Sequence, residues 1–417
     1  MFRVSPTVQT FGSEIETANS AAVDLVSTSS TALCLALAGG GTGGHVVPGM
    51  HLLRSLEGNG DLASLLWFGA GRMAEQRALA GIEEQLGEGV RFTKVDLPLE
   101  PASGGAPSLR DLAKKVLPAT LAARKALKTE GCDVVCGLGG FTSLPVVLAA
   151  RSLGLPVALL EINAVEGRAT RWLSPLVQRV FHAWPSTMPR RQPEPARTAN
   201  QSSLRHGKHR LIGPPLSPEY LAPPLQDFAR KAAVETLGFS SDRPLVLVLG
   251  GSQGAHSLNL FIKERLHELI ANGLSVLHQV GPGRMDEAAS DCDHYRAVEY
   301  IDDVGLGLRT SRLVLCRGGA STLAEIAAAG TPAVVVPYPH HKDQHQRANA
   351  EALAEGVVIV EESSGQDELF TRVLDLARND LELEQRAKLL LDSIPRDGAR
   401  QLFEELTLLS ASRVSHD

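Results

Sequence analysis

Between residues 35 and 50 the chain reads LALAGGGTGGHVVPGM, an apolar run that gives way to closely set glycines, Thr42 and His45, with Pro48 available to open a helix. A glycine-rich turn at a helix start presents backbone N–H groups without side-chain obstruction, which is where a phosphate or another polar substrate group binds. An imidazole one step beyond reaches a group held there, and its ordinary pKa suits proton transfer near neutral pH. A histidine that caps the helix or packs the loop fits the same position. A second loop, GLGGFTSLP, sets Gly137, Gly139 and Gly140 in the same half of the chain. Two such loops on one cleft suit a pyrophosphate, although close strand–helix packing also demands glycines.

The second half repeats the device. GGSQGAHSLN puts Ser252 where a strand turns into a helix, and CRGGASTLAEIAAAG does the same for a longer helix that starts near Ala320 and Ser321. Helix N-termini attract the phosphates of a nucleotide. Thr322 and Glu325 have the spacing of a capping box, so Glu325 is either a reciprocal cap or an acceptor for ribose hydroxyls. Gly39, Gly41 and Gly44 satisfy the G-x-G-x-x-G dinucleotide pattern, but that fingerprint needs an acid about 20 residues on, at the end of the second strand. Here the run ASLLWF ends in Gly69, Ala70 and Gly71, which argues against a nicotinamide cofactor. The stretch PYPHHKDQHQRANA groups His340, His341, Asp343 and His345, yet Pro337 and Pro339 favour a loop there, and no metal site is expected.

The elements that carry these loops are legible as alternation. Short apolar runs such as ALCLALAG, CDVVCGLGG, PVALLEIN, PLVLVLGG and RLVLCRGG are separated by amphipathic stretches, the pattern of buried parallel strands joined by helices. The expected fold is therefore α/β, with ligands at the carboxyl ends of the strands. At 417 residues two cores are expected. Residues 1–31 hold no signal-peptide apolar core and read as a disordered tail. Residues 32–216 form the first domain, with a mobile basic insertion at 185–210, and 217–417 form the second.

The 43% hydrophobic and 21% charged composition is that of an ordinary folded chain. Five scattered cysteines, none in CxxC spacing, suit a reducing compartment. The longest apolar region, 143–160, is broken by Pro145, Arg151, Gly154 and Pro156, so no membrane span is expected. Residues 1–210 carry 22 basic against 17 acidic residues, and the remainder 19 against 30. The basic half is the candidate for anionic lipid head groups or phosphates, with no nucleic-acid partner expected.

In order and spacing, GGGTGGHVVP, GLGGFTSLP, EINAVEG, GGSQGA and CRGGASTLAEIAAAGTPAVVVPYPHHKDQHQRANA resemble the MurG family, the peptidoglycan N-acetylglucosaminyltransferases of glycosyltransferase family 28. The resemblance implies a GT-B fold, two Rossmann-like domains whose parallel sheets face a central cleft. It further implies UDP-GlcNAc as donor, the lipid-linked acceptor undecaprenyl-diphospho-MurNAc-pentapeptide (lipid I), and peripheral association with anionic lipids on the cytoplasmic face of the inner membrane. No metal or cofactor is expected in that family. Carried over by matching motifs, Thr42, Gly43, Gly44, Asn163, Ser252, Ile301, Ala320, Ser321, Thr322, Leu323, Ala324, Glu325 and Gln346 contact the donor, with His345 at the sugar. Ile301 then lies against uracil and Glu325 on the ribose. Gly41, Gly139 and Gly140 hold the acceptor diphosphate, and His45 is the general base.

The chain departs from the family at Leu160 and Ile162, which replace a histidine and a glutamine, at Ser217, which replaces an arginine, and at His345, which replaces a glutamine. Two alternatives accompany the transferase: a UDP-GlcNAc 2-epimerase on the same fold, and a homologue that binds nucleotide sugar without turnover.

Overall fold

A computed structural model describes residues 32–414 apart from 41–42, 57–60, 88, 98, 100–108, 190–206, 341–342 and 354. The tail 1–31, Gly41, Thr42, His341 and the centre of the 185–210 insertion lie outside the described residues. From Ala32 onward the chain packs as one compact unit.

The first half runs β1 (Leu33–Gly39), α1 (Gly43–Arg54), β2 (Leu62–Gly69), α2 (Met73–Ala78), α3 (Ile82–Leu86), β3 (Arg91–Asp96), α4 (Leu109–Glu130), β4 (Val134–Gly139), α5 (Ser143–Ser152), β5 (Val157–Glu161), α6 (Arg168–Leu173), β6 (Arg179–His182) and β7 (His209–Leu211). The second half runs α7 (Pro218–Leu221), α8 (Asp227–Thr236), β8 (Leu245–Leu249), α9 (His256–Ala271), β9 (Ser275–Gln279), β10 (Tyr295–Val298), α10 (Val304–Thr310), β11 (Leu313–Cys316), α11 (Ala320–Ala329), β12 (Ala333–Val335), α12 (His345–Glu351), β13 (Val357–Ile359), α13 (Gly365–Arg378), α14 (Asp380–Ser393) and α15 (Gly398–Val414).

Two parallel sheets result, one ordered β3-β2-β1-β4-β5-β6-β7 and one ordered β10-β9-β8-β11-β12-β13. The central strands are buried along their whole length, as LVLVL of β8 is, because helices cover both faces. Cys132, Cys136 and Cys316 are buried among them, and burial pushes each thiol up to about 12, which leaves them unreactive.

Three features differ from the sequence reading. The helix after the first glycine loop begins at Gly43 and carries Pro48 inside it. Proline fits a helix interior only where the carbonyl four residues earlier does without its partner, and that carbonyl belongs to exposed Gly44 in the first turn. The insertion is also shorter than 185–210: Pro185–Thr187 form a short 3₁₀ turn, and β7 pairs with β6 from His209 onward. Finally, α15 leaves the second half. Leu402, Phe403, Leu406 and Leu409 join the core of Leu35, Leu37, Val46 and Leu160, and Glu405 pairs with Arg210 of β7.

Candidate active site between the two sheets

Each sheet reverses its strand order at the middle, between β1 and β4 in the first half and between β8 and β11 in the second. A parallel sheet leaves a crevice at the carboxyl ends of the strands at such a point. Gly39 pairs with Gly139 across β1 and β4, which brings the two glycine loops of the first half side by side.

His45 lies in the first turn of α1, half-buried. Gly139 and Gly140 have φ of 106° and 75°, a region that favours glycine, and they pack directly on the imidazole. A Cβ on Gly139 would fall 2.7 Å from Cδ2 of His45, and one on Gly140 3.1 Å from Nδ1. The second glycine loop is thus the seat of the histidine. Burial lowers the pKa of His45 from its usual value, His345 across the cleft lowers it further, and a hydrogen bond to the Gly40 backbone opposes both. A ring N–H that donates to Gly40 leaves the other nitrogen with the lone pair that takes a proton.

The sign gives a testable pH dependence. A base must be neutral, and a lowered pKa keeps His45 neutral further into acid, so the acid limb of kcat/KM falls below about 6.5, the ordinary histidine value. An acid limb at or above that value, measured with the donor subsaturating, contradicts the assignment.

The second half closes the cleft from the other side. A Cβ on Gly43 would lie 2.8 Å from Cβ of Ser252, so the loop after β8 touches the start of α1. Gln279, at the end of β9, accepts from the backbone N–H of Ile301 at 3.2 Å and donates to the Gly251 carbonyl at 3.1 Å. One amide therefore fixes both the Ile301 loop and the Ser252 loop. Gln346 in the first turn of α12 accepts from the N–H groups of Gly318 (3.2 Å) and Tyr338 (3.0 Å), and so joins the loops after β11 and β12. Ser321, 8% exposed, has a hydroxyl with no hydrogen-bond partner among the described residues, at the N-terminus of α11. Leu323 and Ala324 point the other way, into the core of the second half, so only their backbone is available to a ligand. Thr322 is half-buried.

Glu325 is not the reciprocal cap. The N-cap of α11 is Gly319, with no side-chain cap hydrogen bond. Instead Oε1 of Glu325 accepts from Nε2 of His51 in α1 at 3.0 Å, and Nδ1 of His51 lies 2.8 Å from Oγ of Ser217. His51 and Gln279 escaped the sequence reading; a histidine in an otherwise apolar helix and a glutamine ending a buried strand were the available signals.

Glu161 closes β5 and is buried. Its Oε1 accepts from the backbone N–H and the side-chain amide of Asn163, at 3.0 and 3.2 Å. Its Oε2 accepts from the Gly167 N–H at 2.8 Å and the Thr170 hydroxyl at 2.6 Å. The loop thus held reaches the second half, where Asn349 of α12 accepts from the Ala164 N–H at 2.7 Å and donates to Oδ1 of Asn163 at 3.3 Å. Leu160 and Ile162 on either side are both buried, one in each half's core. In this chain both are packing residues, beside a Glu161 whose two oxygens are both hydrogen-bonded. Among the described residues no group of three or more histidines, cysteines or acids is disposed to hold a metal.

Comparison with known proteins gives the family. The glycosyltransferase family 28 N-terminal domain matches residues 35–182, and the family 28 C-terminal domain matches residues 245–402. The chain belongs to glycosyltransferase family 28. Among its relatives is the UDP-N-acetylglucosamine--N-acetylmuramyl-(pentapeptide) pyrophosphoryl-undecaprenol N-acetylglucosamine transferase of Frankia casuarinae, 36% identical over 75% of this chain and 78% of the relative. The protein of the same description from Geobacter metallireducens is 31% identical over 89% of this chain and 97% of its own length. The crystal structure of Acinetobacter baumannii MurG superposes with a TM-score of 0.64 at 25% identity and covers 90% of this chain and 99% of that one. A crystal structure of UDP-N-acetylglucosamine 2-epimerase superposes at 0.61 with 13% identity, over 91% of this chain and 97% of that one, a likeness of fold alone. The family 28 chain thus has the GT-B architecture, with α/β halves on either side of one cleft.

Proposed function

We propose that this family 28 chain is an inverting transferase that moves GlcNAc from UDP-GlcNAc to lipid I, giving lipid II for peptidoglycan. The observation that carries the reading is His45 seated on Gly139 and Gly140 with the second half's His345 facing it. A neutral base thereby stands at the junction of a glycine loop and a nucleotide-type helix start. The lone pair of His45 takes the proton of the attacking sugar hydroxyl as its oxygen bonds to C1 of GlcNAc. The bond from C1 to the diphosphate oxygen breaks on the opposite face, and its electron pair leaves with UDP. The larger electrostatic task is the departing diphosphate, which the N-terminus of α11, the Ser321 hydroxyl and the Ser252 loop are disposed to stabilise without a metal. Gly43 and Gly44 lie beside that loop, and Ile301 and Glu325 suit the base and ribose of the nucleotide. Transfer of radiolabelled GlcNAc to a lipid I analogue tests the function: labelled lipid product supports it, and unchanged acceptor with intact protein contradicts it.

The same proposal sets the protein on the cytoplasmic face of the inner membrane, held peripherally by anionic lipids. No helix among the described residues is long and apolar enough to cross a membrane. On α4, Ala119, Ala123 and Leu127 are buried, while Leu117 and Leu121, 64% and 60% exposed, share the outer face with exposed Lys114, Arg124, Lys125 and Lys128. Leucines between cations on one helix face suit an interfacial helix on anionic head groups. Liposome flotation is expected to recover the protein with vesicles containing anionic lipid and not with neutral ones, and Leu117→Glu with Leu121→Glu is expected to abolish recovery. Equal binding to both vesicle types, or none to either, removes the electrostatic face.

A further inference from the structure

We propose that His51 is a positioning residue for the donor, which fixes one oxygen of the Glu325 carboxylate so that the other meets the ribose hydroxyls. This rests on the reading of Glu325 as the ribose acceptor. An ionised carboxylate only accepts, so Nε2 of His51, 3.0 Å from Oε1 of Glu325, carries the hydrogen. The other ring nitrogen is anchored from a third segment. Nδ1 accepts from the Ser217 backbone N–H at 3.4 Å and lies 2.8 Å from Oγ of Ser217; that Oγ is 2.7 Å from Oε1 of Glu219, which Arg54 of α1 holds at 3.2 Å, and its single hydrogen serves one of the two acceptors. The Tyr220 ring stands edge-on to the imidazole, with centroids 5.1 Å apart, and limits its rotation.

His51, Ser217 and Glu325 are 2%, 0% and 7% exposed, in surroundings where Met50, Leu52 and Leu53 of α1 are all core. Burial of three polar groups at such a place is costly unless each is paired, and here each is. The start of α11 has no side-chain cap hydrogen bond, and Oε1 of Glu325 is held by His51, which leaves Oε2 as the oxygen to meet the ribose. α1 thus holds Glu325 through His51 and carries His45 in its first turn, so one rigid helix joins the ribose end of the donor site to the base.

The test is the preference for UDP over its 2′- and 3′-deoxy analogues, read by titration calorimetry. Loss of a hydrogen bond to a charged group predicts that the wild type binds UDP roughly tenfold or more tightly than the weaker-binding analogue. In His51→Ala that preference falls towards parity while affinity for the analogue stays the same, and His51→Gln, whose amide N–H reaches Glu325, recovers part of it. A purely structural role instead lowers affinity for all the nucleotides alike. If Glu325→Ala loses the preference and His51→Ala keeps it, the proposal is overturned and the ribose reading stands. If Glu325→Ala keeps it, the ribose reading itself is wrong and the proposal goes with it. Should His51→Ala not fold, His51→Leu fills the same space without an N–H for Glu325, and an unchanged preference in that variant overturns the proposal.

Discussion

His45→Ala is expected to lower kcat by about 10²- to 10⁴-fold, the usual cost of a lost general base, while UDP-GlcNAc binds with nearly unchanged affinity. The split follows from where the groups sit. His45 belongs to the first half and stands against Gly139 and Gly140, whereas Ile301, Ser321 and Glu325 belong to the second. Removal of the imidazole leaves the donor site whole and takes away only the proton acceptor. The ring also fills the space over two glycines, so a modest fall in thermal midpoint accompanies the loss, and His45→Gln separates the two effects because it restores volume without basicity. Near-wild-type turnover in either variant makes His45 a packing residue and sends the search for the base elsewhere in the cleft.

Glu161→Ala is expected to be the most destabilising single change in the cleft wall, on the order of 3 kcal/mol. The carboxylate is 3% exposed and accepts from two backbone N–H groups, one amide and one hydroxyl, all between Asn163 and Thr170. Without it the buried Thr170 hydroxyl and the half-buried donors of Asn163 and Gly167 lose their acceptor, and the loop that meets Asn349 loses its anchor. Urea denaturation is the measurement: a lower midpoint at unchanged slope, with activity impaired even below the transition, is the expected outcome. A shift worth less than about 1 kcal/mol means that water or a rearranged loop replaces the carboxylate.

The strands and glycine junctions were legible because a parallel sheet covered on both faces needs unbroken apolar runs, and PLVLVLGG or RLVLCRGG admits little else. The partner of each helix was not legible in the same way. α15 is amphipathic, but an apolar stripe does not record which sheet it covers, and only the fold shows Leu402 and Leu406 on the first half's core. The cleft divides along the same line. Glycines, Ser252 and Glu325 announce themselves locally, whereas the bond from His51 to Glu325 joins residues 274 positions apart. Glu325 illustrates the limit: a spacing of three from Thr322 fits a cap, and only the position of α1 directs the carboxylate elsewhere. Leu160 and Ile162 illustrate the converse, since residues that looked like losses from a polar motif are buried packing beside an intact Glu161.

The central claim is transfer with inversion at C1 of GlcNAc, and the most direct test is an NMR measurement on purified protein with UDP-[1-13C]GlcNAc and a soluble lipid I analogue. The account predicts that the α-anomeric signal of the donor disappears and is replaced, one for one, by a β-glycosidic signal on the acceptor together with free UDP. An α-linked product, a UDP-linked 2-epimer formed without acceptor, or a donor signal that persists in the presence of protein shown to bind UDP would contradict it.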